Sequence, residues 1–259
     1  MTPEKSQQIL ERYLDALLRG DRSASRTVIE EAMKKGTPVN SVYLNIIWPI
    51  MVEIEQLARV DKISPVQEHM ATRINRTIVD QLQNKLPRRP AINKKIIICC
   101  TDSESHELGA QMMADLFESN GWEIRFVGGG LTNEDIFSFV GEYGPDVLLI
   151  YGTGPKQAPT TRHLIDMIKR VNAWPDMRIM VSGGIFNRAE GLWEEIRADC
   201  YAATAQEAIQ VALTCQAKPI TDARTINKRK RKREKIQTIE PAQAQKTNIQ
   251  PLSPANSMN

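Results

Sequence analysis

The chain has 259 residues, 41% hydrophobic and 25% charged, an ordinary composition for a soluble protein with ample length for a packed core. No apolar run approaches the ~20 residues a membrane helix needs, and the N-terminus lacks the apolar segment and cleavage site of a signal peptide, so a cytoplasmic protein without membrane contact is expected. The net charge of +3 hides an asymmetry: from Lys218 onward there are ten basic and three acidic residues, so a basic extension of +7 follows a body at −4.

Four helical segments are expected first. Thr2-Pro3-Glu4 starts one, with a capping hydroxyl, a proline at the first helical position and an acid near the positive dipole end. Ile9, Tyr13, Leu14, Leu17 and Leu18 then recur at helical spacing up to Gly20. Residues 23–35 form the second helix, closed by Gly36. The third covers 42–58, with a kink expected at Pro49. The fourth opens on the capping box Ser64-Pro65-Val66-Gln67 and runs to about Leu86. Residues 1–88 thus read as a four-helix bundle.

After a linker at Pro87–Pro90 the pattern changes to strand–helix alternation. Strands are expected at 96–100, 122–127, 146–151, 178–181 and near Cys200, with helices over 105–119, from about Thr132, over 159–171, after Asn187 and over 205–217. Such alternation predicts an α/β domain over 93–217, a five-stranded parallel sheet with helices on both faces. Glycines collect where strands end, at Gly128–Gly130, Gly152, Gly154, Gly183 and Gly184. Ligands of open parallel sheets bind at that edge, near the point where strand order reverses.

Residues 218–259 are poor in apolar residues and read as a disordered basic tail. Its Lys228–Arg233 run has the charge to meet nucleic acid but no aromatics for base stacking. The four cysteines form no C-x-x-C pair, so buried free thiols are expected rather than a zinc or redox site.

His106 is one of three histidines and sits in CCTDSESHELGAQ, where the first strand hands over to its helix. A surface histidine capping the helix is one reading; a metal ligand is the other. Glu104 is placed to accept from the far ring nitrogen, which fixes the tautomer. Gly109 lets the helix pack close to a bulky group. One imidazole does not hold a free ion, but it suffices for a metal already caged in a macrocycle.

ESHELG, Glu104 to Gly109, resembles the lower-ligand loop D-x-H-x-x-G of the cobalamin-binding domains of methionine synthase, corrinoid methyl carriers and mutases. VSGGIFN (181–187) is similar to that family's glycine pair, and ADCYAATAQEAIQVA (198–212) to its closing segment. Residues 13–54 and ISPVQEHMATRI, with Glu68 and His69, resemble the helical cap that precedes such domains. The resemblance covers about residues 8–216 and implies a flavodoxin-like (Rossmann-like) domain under the helical cap, with cobalamin as cofactor. It implies His106 as the lower axial ligand to cobalt, with the base off. Further contacts are implied at Glu104, Ser105, Gly109, Tyr151, Gly152, Thr153, Gly183, Gly184 and Tyr201. Glu68 and His69 would face the upper side. The nucleotide tail would run into the sheet between the third and fourth strands.

The glutamate at 104 is the form found in light-sensing cobalamin-dependent repressors. Their cap tryptophan and second cobalt histidine fall here on Ala58 and Arg59. The family's nucleotide-loop serine falls on Tyr151, a bulkier residue. The sequence therefore reads first as a cobalamin-dependent sensor or regulator that acts by self-association or through a protein partner. The alternatives are a corrinoid methyl carrier serving a separate methyltransferase, and a module of the same fold that holds heme. No nucleophile–base pair assigns catalysis to the chain alone.

Overall fold

Pro49 sets the shape of the helical half. The expected kink appears instead as a widened turn: α3 (Val39–Val42), a π segment (Tyr43–Ile47) and α4 (Trp48–Arg59) follow without a gap. Proline has no N–H to give to the preceding turn, and the π turn, in which Trp48 N bonds Tyr43 O, absorbs the misfit. These coordinates come from a computed structural model that describes residues 3–100 and 107–218.

α1 (Pro3–Leu18) precedes α2 (Arg22–Lys34), which begins one residue earlier than expected. Its cap is Asp21, whose carboxylate accepts from Ala24 N at 2.9 Å. The capping box at Ser64 is formed, with Gln67 N donating to Ser64 Oγ at 3.3 Å and Ser64 N to Gln67 Oε1 at 3.0 Å. It opens α5 (Pro65–Gln83), which stops three residues short of Leu86.

The second half alternates β1 (Lys95–Cys100), α6 (Leu108–Ser119), β2 (Glu123–Gly128), α7 (Asn133–Tyr143) and β3 (Val147–Tyr151). A 3-10 turn (Pro155–Gln157), α8 (Ala158–Val171) and β4 (Arg178–Ser182) follow. The helix expected after Asn187 is two short ones, α9 (Gly184–Arg188) and α10 (Leu192–Glu195), because α9 starts directly on the second glycine. β5 (Cys200–Ala202) and α11 (Ala205–Thr214) complete the domain.

The sheet is parallel in the order β2-β1-β3-β4-β5. Strand order reverses between β1 and β3, which is the crevice where such sheets bind ligands. Cys100, Tyr151, Ser182 and Ala202 pair in sequence across one rung at the carboxyl edge.

One sheet face packs with α6, α11 and the helical half in a continuous apolar cluster that includes Tyr13, Ile47, Ile78, Met112, Phe117 and Tyr151. The other face packs with α7 and α8. The helical half therefore buries its apolar stripe against the α/β half as well as upon itself, and both halves lie within one compact unit.

Candidate functional site between the cap and the sheet edge

α4 and α5 lean over the carboxyl edge of the sheet and cover a small cavity of about 50 Å³. Met51, Ile54 and Glu55 line it from α4, and Glu68, Thr72 and Asn75 from α5. Each set lies on one helical stripe, since residues three, four or seven apart share a face. Leu108, Gly109, Tyr151 and Thr153 form the floor. The walls are mostly apolar with a few convergent polar groups, which is the chemistry of a small-molecule site.

Of the residues picked from sequence, Glu68, Gly109, Tyr151 and Thr153 meet in this cavity. His69 does not line it: one helical step from Glu68 turns it outward, and it is exposed. Tyr201 is also elsewhere. It packs with the cluster on the opposite sheet face and donates to Asn187 Oδ1 at 2.6 Å, because neighbouring strand residues alternate faces. Gly152 and Gly183 serve backbone packing. Gly183 has φ +105, and a Cβ there would stand 2.3 Å from Gly152 O. Gly152 N in turn donates to Ser182 O at 2.9 Å. A Cβ at Gly184 would meet Arg188 Nη1 at 2.5 Å and Glu55 Oε1 at 3.1 Å, so this glycine makes room for the pair that bridges cap and sheet edge. Glu104, Ser105 and His106 lie outside the described residues, as does the Lys228–Arg233 run.

Sequence reading missed the residues that join the two halves. Glu55 on α4 pairs with Arg188 on α9 at 3.0 Å and with Arg59 at 2.5 Å, and Arg188 also donates to Thr153 O. Glu107, directly after His106, is buried. It accepts from Arg76 of α5 at 3.2 Å and from Gly129 N at 3.0 Å, tying the start of α6 to the cap and to the end of β2. Its place in ESHELG, beside the histidine, was the available signal.

Deeper in the interface, Tyr43 Oη lies 3.0 Å from both Val79 O and Asp115 Oδ2. Burial raises the Asp115 carboxyl to about 7, with Glu118 and Asp80 adding to the rise and bonds from Tyr43 and Gln83 opposing it. Burial also keeps the Tyr43 hydroxyl protonated. The Tyr43 hydroxyl thus faces two acceptors, the Val79 carbonyl and the Asp115 carboxyl, and ties α5 to α6. At the sheet edge, burial pushes the Cys99 thiol up to about 12, which removes it as a nucleophile. Cys100 and Cys200 are buried and Cys215 is partly so, all as free thiols. Among the described residues no cluster of three or more histidine, cysteine or acidic side chains is arranged to hold a metal ion.

The B12 binding domain family matches this chain twice, over residues 9–83 in the helical half and over residues 94–213 in the α/β half. The chain belongs to the B12-binding proteins. Its cofactor is accordingly cobalamin, and it is a corrinoid protein. Dimethylamine corrinoid protein 1 of Methanosarcina acetivorans is 23% identical over 137 residues, which are 52% of this chain and 63% of that protein. The chain thus spans a little under two thirds of that relative. Dimethylamine corrinoid protein 3 of the same organism is 26% identical over 145 residues, 55% of this chain and 67% of that protein. Among solved structures, the monomethylamine corrinoid protein of Methanosarcina barkeri has the same fold, with a TM-score of 0.70 at 20% identity, over 80% of this chain and 98% of that one.

The cavity under α4 and α5 offers apolar side chains with carboxylate and amide groups around them, a chemistry that fits a macrocycle with a polar rim, but at about 50 Å³ it is far smaller than such a ring with the cap in this position. At the carboxyl edge, Tyr151 fills the hollow beside Gly109, while a second cavity of about 380 Å³ opens on the other side of the sheet among Cys99, Cys100, Gly130, Ile150 and Thr161. The Tyr151 hydroxyl stands 2.1 Å from where a Cβ on Gly109 would be, and the β3 and β4 ends are in backbone contact. Among the described residues no helix is long and apolar enough to cross a membrane.

Proposed function

We propose that this chain is a corrinoid carrier that holds a methyl group on its cobalt and presents it to a separate methyltransferase. The observation behind this reading is the cavity roofed by α4 and α5. Its mouth is held by the half-exposed Glu55–Arg188 pair, so a bound group is covered yet within reach once the roof lifts. The names of the relatives, dimethylamine and monomethylamine corrinoid proteins, support the same role. When bound, the corrinoid supplies a cobalt able to accept and release a methyl group. The chain's part is to position and shield it. Met51, Ile54 and Leu108 exclude water, Glu68, Thr72 and Asn75 meet the polar rim, and His106 serves as the lower ligand with Glu104 and Ser105 beside it.

A sensor or regulator is the second reading, favoured by one observation. Glu55 lines the cavity and also pairs with Arg59 and Arg188, so a change of upper ligand that displaces Glu55 reaches both cap and sheet edge.

One experiment separates the two. The chain is loaded with hydroxocobalamin and run on gel filtration beside His106→Ala. It is then chemically reduced and treated with methyl iodide. A carrier gives a histidine-ligated spectrum absent from the variant, takes up the methyl group and elutes unchanged. An elution volume that shifts with hydroxo, methyl or adenosyl ligand, or with light, sinks the carrier reading in favour of the sensor.

A further inference from the structure

Glu107 caps the start of α6 with its backbone, its carbonyl accepting from Gln111 N at 2.9 Å. An acid at such a place commonly turns its side chain back onto the free N–H groups of its own helix. This carboxylate makes no such bond. It reaches across instead, Oε2 accepting from Gly129 N at 3.0 Å and Oε1 from Arg76 Nη1 of α5 at 3.2 Å.

The seat is shaped for it. Gly128 has φ +67, and a Cβ there would stand 2.5 Å from Glu107 Oε2, so a side chain at that position would push the carboxylate off the turn after β2. The Glu107 side chain is 11% exposed, and each of its oxygens has a donor, one of them a guanidinium. Charge-assisted bonds of this kind are the stronger and more directional class. Glu107 is therefore held by its own helix, by the turn after β2 and by the cap. The Gly129 bond lies wholly within the α/β half and does not depend on where the cap stands; the Arg76 pair does. His106 is one peptide link away, its Cα ~3.8 Å from that of Glu107. Whatever fixes Glu107 thus limits where the neighbouring imidazole is delivered.

We propose, resting on the corrinoid reading and on His106 as lower ligand, that Glu107 is a positioning residue for the cobalt ligand. Its carboxylate, clamped between Gly129 N and Arg76, anchors the residue that carries His106 to the sheet edge and to the roof helix. It touches neither cobalt nor corrin and acts only through the histidine beside it.

The test is a double-mutant cycle. Hydroxocobalamin is titrated into the full chain and followed by absorbance, for wild type, Glu107→Ala, His106→Ala and the double variant. Glu107→Ala is expected to weaken binding by about tenfold, the low end of the range for losing a residue that orients a metal ligand. In the His106→Ala background the same change is expected to cost less than about twofold, because no ligand is left to place. Glu107→Gln keeps an acceptor for Gly129 N but loses the charge that faces Arg76, and is expected to cost about threefold. Equal losses in both backgrounds overturn the proposal, since Glu107 then holds the fold or the cavity floor and not the ligand. No loss in the wild-type background overturns it as well, and the corrinoid reading stands in either case. If wild type and His106→Ala bind alike, the histidine is not the ligand and the proposal falls with it. If no protein binds, the corrinoid reading and this inference fall together. Should Glu107→Ala not fold by circular dichroism, Glu107→Gln takes its place in the cycle.

Discussion

Two of the contacts between the cap and the α/β domain are of opposite character. At the base, Tyr43 is wholly buried and bonds across to Asp115 on α6, within an apolar cluster common to both halves. At the mouth, Glu55 and Arg188 meet with side chains 29% and 34% exposed. Burial of large apolar side chains carries several kcal/mol, whereas exposed ion pairs carry about 0–1 kcal/mol. The base therefore holds the assembly and the mouth only biases it. Separating the halves at the mouth would therefore cost less than separating them at the base, where a π turn departs from regular helix.

The largest effect should come from breaking the base. Tyr43→Ala removes a buried aromatic ring and strands the Asp115 carboxyl, and is expected to cost roughly 3–5 kcal/mol in urea unfolding. A loss under about 1 kcal/mol would show that the base does not carry the interface.

The base should also respond to pH. Folding raises the Asp115 carboxyl from its ordinary 3.8 to about 7, so between those values the folded state holds a proton that the unfolded state has released. Stability from this group is fully present below about pH 4. It falls by about 1.4 kcal/mol per unit as pH rises toward 7, and levels off above. Asp115→Asn keeps the shape and removes the titration. Thermal unfolding of both proteins from pH 5 to 8 should show their difference changing in that sense. Parallel curves would mean that Asp115 is ionised throughout and that Tyr43 gives its proton to the carboxylate.

Much of this architecture was legible in the sequence. Strand–helix alternation and glycines at strand ends placed the ligand edge, and Glu68, Gly109, Tyr151 and Thr153 do line the cavity there. The residues that couple the halves were not legible. Periodicity tells which face of a helix is apolar, but not which helix leans over a sheet edge. Nothing in the periodicity therefore singles out Glu55, and Arg188 is 133 residues away from it. The Tyr43–Asp115 bond likewise joins positions 72 apart. His69 was placed by likeness of motif, while the helical step that turns it outward depends on how α5 docks. Gly183 was named only as a cofactor contact implied by the resemblance. Its positive φ and its contact with Gly152 O show a strand end that needs the glycine for itself.

The mouth gives the smallest effect on stability and the most direct one on motion. Arg188→Ala removes the bridge to Glu55 and the bond to Thr153 O, and is expected to shift urea unfolding by no more than about 1 kcal/mol. If α4 opens locally, at a free energy below that of global unfolding, the loss appears there in full. Amide exchange over residues 48–59 should then quicken by about fivefold, the change that ~1 kcal/mol produces. Glu55→Gln in the same chain should add only the loss of the Glu55–Arg59 pair, because the pair with Arg188 is already gone. Strong salt should quicken exchange in wild type but not in Arg188→Ala, since a half-exposed pair is screened within a few ångströms at 1 M. If Arg188→Ala instead lowers global stability and leaves α4 exchange unchanged, the mouth is part of the same rigid interface as the base. The roof would then reach a partner only by leaving the sheet edge as a whole.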